Sequence, residues 1–450
     1  MSAKKSAVRY VCSNCGATAS SWAGRCAQCE AWNTMQEEAL LVTASGAVAQ
    51  GAILQEAHIE TLVAHDQARL QTSMEEVDTV LGGGIVVGSV NLIAGQPGIG
   101  KSTLLLQIAD AVAKHHTVLY VSGEESGHQV GLRAQRLGVT AQKLTLATTT
   151  SADDIAATIA AKQHELVIVD SIQTVTVSGV ASAAGTVSQI TNSSQRILQA
   201  AKQSGVAVIM VGHVTKEGSI AGPKVLEHVV DVVLQLEGDR YGGFKMLRAI
   251  KNRFGPTNEA GIFEMVGQGM QPVQNPSAAL LAERQVTDGS IVLATMEGTR
   301  PLLVEVQALV NKTSYGYPKR AASGIDLNRV NLLIAMLERR TKLRLAEQDI
   351  YINIVGGMKI VEPAADLAVC MAIGSAAKGL QLKTNAVVFG EVGLSGEVRH
   401  VPYADKRLAE AKKMGFESAI GPMQKGQKDA LLQPIGHVRE ALNTFLEKDT

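Results

Sequence analysis

Eight consecutive residues, Gly95-Gln96-Pro97-Gly98-Ile99-Gly100-Lys101-Ser102, have the make-up of a loop that wraps a phosphate chain. Glycines let the backbone turn its N–H groups toward anionic oxygens, and a helix N-terminus just beyond adds a favourable dipole. Lys101 is the cation that reaches the β- and γ-phosphates, and the Ser102 hydroxyl, followed by Thr103, suits Mg²⁺. This chemistry needs a strand before the loop and a helix after it. Val90-Asn91-Leu92-Ile93-Ala94 is the apolar run for the strand, and Leu104, Leu105, Ile108 and Val112 recur at helical spacing over 103–115. A glycine-rich turn with a chance lysine is the competing reading, and it leaves that context unexplained. The segment is expected to bind a nucleoside triphosphate through Gly95 to Thr103.

A second piece of the same chemistry lies downstream. Leu166-Val-Ile-Val-Asp170 reads as a buried strand ending in an acid, and Asp170 is suited to hold the Mg²⁺ shell through water. A separate cluster opens the chain. Cys12-x2-Cys15 and Cys26-x2-Cys29 are two knuckles ten residues apart, suited to tetrahedral Zn²⁺ with no position open to water. Such a site is structural. Two disulfides are the alternative, which a reducing compartment disfavours. Trp22 and Trp32, the only tryptophans, both fall in this module. They are expected to supply a very small domain with core, although stacking on a base or partner is the other use open to them. Cys370, in an Ala/Val/Met-rich helix, reads as an inert core thiol.

The elements that position these groups belong to more than one domain, since 450 residues exceed a single core. Lys+Arg and Asp+Glu are 42 each, so no global field recruits nucleic acid and any such surface is a local patch. Aromatics at 3% argue against recognition by rows of stacking rings. No membrane span or apolar signal segment is apparent, and a cytoplasmic location is expected. The reading divides the chain into a zinc module over 1–35, a linker over 36–60, an ATPase domain over 61–270 and a further domain over 271–450. Alternating strands and helices in 61–270 indicate a parallel sheet covered on both faces. Gln271-Pro-Val-Gln-Asn-Pro276 marks the last boundary.

The lead-in Thr72-Ser-Met-Glu-Glu-Val-Asp-Thr-Val-Leu-Gly-Gly-Gly-Ile-Val-Val-Gly88 resembles the RecA/DnaB superfamily of ring- and filament-forming ATPases. That resemblance implies ATP as the nucleotide and Glu124, after the strand Val118 to Gly123, as the base orienting the attacking water, with Glu125 as fallback. It also implies a γ-phosphate-sensing role for His213. Lys251-Asn-Arg-Phe-Gly255 matches the KNRFG motif of the bacterial RadA/Sms family. In related rings the two cations, here Lys251 and Arg253, reach the neighbouring subunit's nucleotide. The resemblance further implies that the loops Thr176–Ser188 and Thr215–His228, the latter with Lys216 and Lys224, line a central channel and grip a nucleic-acid backbone; mobile solvent loops are the alternative.

From Gly289 onward the chain resembles the Lon peptidase domain through Ile352-Asn-Ile-Val-Gly-Gly, Glu362-Pro-Ala-Ala-Asp-Leu-Ala and Phe389-Gly-Glu-Val-Gly-Leu-Ser-Gly-Glu-Val398. Where Lon carries its nucleophilic serine this chain has Ala364, and the lysine position falls on Asp405 beside Lys406. Proteolysis is therefore not expected. Within 312–344, Lys312, Lys319, Arg320, Arg329, Arg339, Arg340, Lys342 and Arg344 face only Asp326 and Glu338, a run suited either to DNA phosphates or to a solvated helix face.

The fold class expected is α/β: a small zinc-ribbon-like module, a RecA-like parallel-sheet P-loop ATPase core and a Lon-peptidase-like α+β domain. The full order resembles the RadA/Sms family. It implies ATP, Mg²⁺ and Zn²⁺ as cofactors, a homo-hexameric ring, and DNA-dependent ATPase or branch-migration helicase activity. The implied partners are single-stranded DNA, branched recombination intermediates and the RecA recombinase, with no membrane. A non-motor scaffold that uses ATP to load a recombinase is the alternative.

Overall fold

The computed structural model describes residues 8–12, 17–19, 21–39, 68–214, 220–221, 225–238, 244–314, 316–423 and 429–447. Cys15, Lys216, Lys224 and most of the linker expected over 36–60 lie outside the described residues. Two compact units divide the chain: Met1–Glu237 with Leu247–Thr257 and Val266–Met270, and Gly238–Met246 with Asn258–Met265 and Gln271–Thr450.

The first unit opens with a three-stranded antiparallel sheet, β1 (Val8–Cys12), β2 (Thr18–Ala19) and β3 (Met35–Ala39), in the order β2-β1-β3. Its small core is Cys12, Cys26 and Met35, packed by Tyr10, Ala17, Ala19 and Cys29.

A ten-stranded sheet follows. Its main path uses β4 (Val90–Gly95), β5 (Val118–Ser122), β6 (Leu144–Thr148), β7 (Leu166–Asp170), β8 (Ala207–Val214), β9 (Val232–Gly238), β10 (Phe244–Asn252), β11 (Ala260–Val266) and β12 (Gly269–Pro272). The order is β12-β11-β10-β9-β4-β8-β7-β5-β6. From β9 through β6 every neighbouring pair is parallel. That geometry explains why β4, β5 and β7 are buried at every residue and read as unbroken apolar runs rather than alternating ones. Crossover helices include α1 (Lys101–Ala113), α2 (Gly127–Leu137) and α3 (Val187–Ser204). The core joins Leu92 and Ala94 of β4 to Val121, Val169, Met210, Ile190 and Ile197.

The second unit holds a seven-stranded mixed sheet built from β13 (Ser290–Glu297), β14 (Arg300–Lys312), β15 (Arg320–Ser323), β16 (Gln348–Ile354), β17 (Ala386–Val388), β18 (Ser418–Pro422) and β19 (Leu432–Ile435). Its order is β15-β16-β14-β13-β17-β18-β19. Helices α4 (Leu327–Arg340), α5 (Asp366–Lys378) and α6 (Ala404–Lys413) accompany it. Helix α5 is buried from Asp366 through Ser375, and its Cys370 is a core thiol whose pKa burial pushes well up, as expected for an inert position. Among the described residues no helix is long and apolar enough to cross a membrane.

Candidate functional site

Strand β4 ends where the phosphate-binding sequence begins. A Cβ on Gly95 would stand 2.7 Å from the Leu236 carbonyl oxygen, so only glycine fits that approach. Gly98 and Gly100 turn the loop through the left-handed region, with φ of 78° and 114°. Gly100 is also the N-cap of α1, and it brings no side-chain oxygen to the first turn. Helices α2 and α3 are instead capped by Ser126 and Thr186. The α1 terminus thus keeps N–H groups without a side-chain acceptor, the arrangement an anion requires.

Lys101 is buried, and its Nζ donates to the Gly95 and Gln96 carbonyls at 2.9 and 3.1 Å. Burial lowers its pKa from 10.5 to about 8, against the opposing pull of Asp170 and Glu124. Strand register brings the remaining groups to the same edge. His213 pairs with Gly95, Met210 with Val169, and Ser122 with Asp170. Four adjacent parallel strands therefore end side by side, where ligands bind in open α/β sheets. The His213 side chain lies outside the described residues.

The two glutamates after β5 separate clearly. The Glu124 carboxylate accepts a hydrogen bond from the Ser171 hydroxyl and acts electrostatically on Lys101. Glu125 is tied to Arg133 at 2.5 Å and caps back on Ser122 through its backbone. Two contributors were not apparent from sequence. Tyr120, buried in β5, donates its hydroxyl to Asp170 Oδ2 at 2.5 Å, and burial beside that carboxylate pushes its own pKa well up. Ser171 holds Glu124. Only the pairing of β5 with β7 brings Tyr120 to Asp170, 50 residues away.

The KNRFG segment occupies the opposite edge of the same sheet. Asp231 donates its N–H to the Val90 carbonyl at 2.9 Å, and Arg253 donates its N–H to the Asp231 carbonyl at 3.2 Å. Buried Asp231 accepts from Val90 N, Lys202 Nζ at 2.5 Å and Arg253 Nη1 at 3.3 Å. The Arg253 side chain remains 55% exposed. Val90 begins the strand that Gly95 ends, so this edge is about 17 Å from the phosphate loop at ~3.3 Å per residue. Lys251 Nζ donates to the carbonyls of Glu227, His228 and Val230 at 2.7, 3.1 and 2.7 Å, at the end of the short helix Val225–Val229. Asn252 donates to the Leu81 carbonyl and Arg69 to the Phe254 carbonyl, tying the segment to the residues ahead of the phosphate loop. Gly82 faces Gly255, so the glycine-rich lead-in and KNRFG meet in space.

In the N-terminal module, the Cys12, Cys26 and Cys29 sulfurs lie within 4.8 Å of one another, and Cys12 and Cys29 Sγ are 3.6 Å apart. A tetrahedral zinc with Zn–S of about 2.3 Å separates sulfurs by roughly 3.8 Å, so the donors fit the ion. The expectation that both tryptophans serve as core is corrected: Trp22 is 61% and Trp32 70% exposed. Cysteine, alanine and Met35 fill that small interior instead.

In the second unit Ala364 and Ala365 are buried and contribute no nucleophile. Lys406 donates to the Thr299 carbonyl at 3.0 Å. The flanking acids are held structurally: Glu362 by fully buried Arg407 at 2.6 Å, and Asp366 by Arg329 and the Val392 N–H. Arg340 donates to Leu394 O. The basic run over 312–344 is therefore not one free surface, because Arg329 is spent on a buried carboxylate.

A glycine-lined loop and uncapped helix at the carboxyl edge of a parallel sheet, with an acid on a nearby strand, define a P-loop nucleotide-binding protein. The attached thiolate cluster adds a zinc ribbon. Family models agree segment by segment: a rubredoxin metal binding domain matches residues 10–37, an AAA domain 55–219, and subunit ChlI of Mg-chelatase 324–425. DNA repair protein RadA of Pseudomonas aeruginosa is 47% identical, covering 97% of this chain and 98% of its own. RadA of Bacillus subtilis is 45% identical, over 98% and 99%, and RadA of Escherichia coli 44%, over 94% of each. A crystal structure of the RadB recombinase aligns with 46% of this chain and 100% of its own at 22% identity and TM-score 0.36. The chain belongs to the RadA family of DNA repair proteins, and its ATPase family implies ATP hydrolysis.

Proposed function

We propose that this protein is a DNA-dependent ATPase that works as a homo-hexameric ring on single-stranded DNA and branched recombination intermediates, driving branch migration together with RecA. The observation that carries the reading is the separation of Arg253 from its own phosphate loop by the length of β4. An exposed arginine about 17 Å from the nucleotide of its own chain acts on one only in a neighbouring subunit.

In this reading Gly95 to Thr103 cradle the phosphates, with Lys101 turning from the Gly95 and Gln96 carbonyls to the β/γ-phosphates. Ser102 and Asp170 hold Mg²⁺, which neutralises charge on the transferring phosphoryl. Glu124 orients water, and the Ser171 hydroxyl fixes its carboxylate. Arg253, with Lys251, completes the neighbour's site, so turnover depends on assembly. Cys12, Cys15, Cys26 and Cys29 hold a structural Zn²⁺. The functional segments are 1–35, 36–60, 61–270 and 271–450, and the protein works in the cytoplasm.

The test measures ATP turnover against protein concentration with and without single-stranded DNA, with Lys101→Ala as blank. Turnover per chain should rise with assembly and with DNA. Arg253→Ala should bind nucleotide without hydrolysing it, and mixing with wild type should restore some sites. Full-rate hydrolysis by dilute monomer would overturn the trans assignment. Appreciable turnover indifferent to DNA would leave a recombinase-loading scaffold.

A further inference from the structure

Buried Asp231 meets two cations with a single charge. Its Oδ2 accepts from the Val90 N–H at 2.9 Å and from Lys202 Nζ at 2.5 Å. Among the described residues its Oδ1 accepts from Arg253 alone, through Nη1 at 3.3 Å. The two ion pairs are unequal. Lys202, in the last turn of α3, makes the short contact and also donates to the Gly88 carbonyl at 3.3 Å. Arg253 offers one nitrogen at longer range, and more than half of its side chain is exposed. Its backbone stays fixed by the N–H bond to the Asp231 carbonyl at 3.2 Å, so the guanidinium can swing about a held pivot. Lys251 adds positive charge at this edge: burial first, and then Arg253, lower its pKa.

We propose that Asp231 and Lys202 are positioning residues for Arg253. Asp231 parks the guanidinium, and Lys202 remains as the counter-charge of that acid when Arg253 crosses to the phosphates of the neighbouring subunit. The proposal rests on the reading above that Arg253 acts in trans. Withdrawing the only cation from a buried carboxylate leaves an uncompensated charge, which is strongly unfavourable. A second cation on the same acid removes that obstacle. The structural pair in the second unit is built differently: Asp366 takes both Nε and Nη2 of Arg329 and, among the described residues, contacts no second cation. A bidentate arginine with sole charge of a buried acid is fixed there. Arg253, held by one nitrogen beside a lysine that already neutralises the acid, is free to leave.

The test uses rings mixed from two full-length chains, with ATP turnover measured in the presence of single-stranded DNA. Lys101→Ala keeps the finger and lacks a working phosphate loop; Arg253→Ala keeps the loop and lacks the finger. Mixing them should restore turnover where an Arg253→Ala loop meets a Lys101→Ala finger. Lys202→Met, which keeps the aliphatic stem and removes the charge, is then placed on one chain at a time. On the finger donor it should lower the restored turnover at least about ten-fold, because Arg253 becomes the only cation in contact with buried Asp231. On the loop donor it should change nothing, and KM for ATP should be unaltered in both mixtures. Lys202→Arg on the finger donor should preserve turnover. Lys202→Met/Asp231→Asn on the finger donor should recover most of the loss, since no buried charge is then left unpaired.

Equal loss with Lys202→Met on either chain would make Lys202 a structural tie and overturn the proposal. So would an indifferent finger donor, or a loss that persists in the Lys202→Met/Asp231→Asn variant. Each of these leaves the trans action of Arg253 standing. If Lys101→Ala and Arg253→Ala restore no turnover when mixed, the trans reading falls and the proposal with it.

Discussion

Raising the pH above 8 should weaken nucleotide binding, because the group proposed to meet the phosphates is a buried lysine. Lys101 titrates at about 8 before nucleotide arrives, with burial the dominant cause. Binding requires the ammonium, and a polyanion at its Nζ raises the pKa, so above pH 8 each binding event takes up a proton. Affinity is therefore flat below pH 8 and falls about ten-fold per pH unit above it. At pH 9.5 about 3% of a pKa-8 lysine is protonated, which predicts roughly 30-fold weaker binding; an ordinary lysine at 10.5 would lose only about 10%. The nucleotide phosphates are already fully ionised in this range and do not contribute. Calorimetric titration with a non-hydrolysable ATP analogue, from pH 7 to 9.5, reads the slope directly. Repeating it at pH 8.5 in two buffers of different ionisation enthalpy should show uptake of about three-quarters of a proton. Lys101→Arg, whose side chain stays charged throughout, should abolish the slope if it binds at all. A wild-type affinity constant to pH 9.5 would refute the argument, since Lys101 would then be charged throughout.

Three further outcomes follow from the packing. Cys12→Ser should release zinc, because Cys12 contributes one of the three thiols that converge in the ribbon, and unchanged metal content would exclude the four-thiolate site. Arg407→Ala should cost the second unit about 3 kcal/mol or more, as it strips the buried cation from Glu362; denaturant unfolding followed by far-ultraviolet circular dichroism measures it. Gly298→Ala should destabilise the same unit by at least about 2 kcal/mol, because φ is +63° and the new Cβ would fall 1.4 Å from the Asn258 carbonyl oxygen. A wild-type melting profile would show that the turn relaxes freely.

Local chemistry was legible in the chain itself. The run Gly95 to Ser102 declares a phosphate loop because glycine, lysine and hydroxyl must follow one another at fixed offsets, and the apolar strand and helix that hold them are adjacent in sequence. Cysteine knuckles declare a thiolate cluster for the same reason, and Ala364 declares the missing nucleophile by its identity alone. Partnerships across the sheet were not legible, because strand order is set by long-range packing. Only the parallel pairing of β5 with β7 brings Tyr120 to Asp170. Only the alignment of Val90, Asp231 and Arg253 at one edge separates the KNRFG arginine from its own nucleotide loop. Sequence marked Lys251 and Arg253 as a pair; folding gives one to helix carbonyls and the other to a buried acid. The two tryptophans carry the same lesson. Hydrophobicity assigns them to a core, yet an interior already closed by cysteines and Met35 has no room for an indole, so solvent receives both. Residue identity fixes what a group can do, and the fold decides which groups meet.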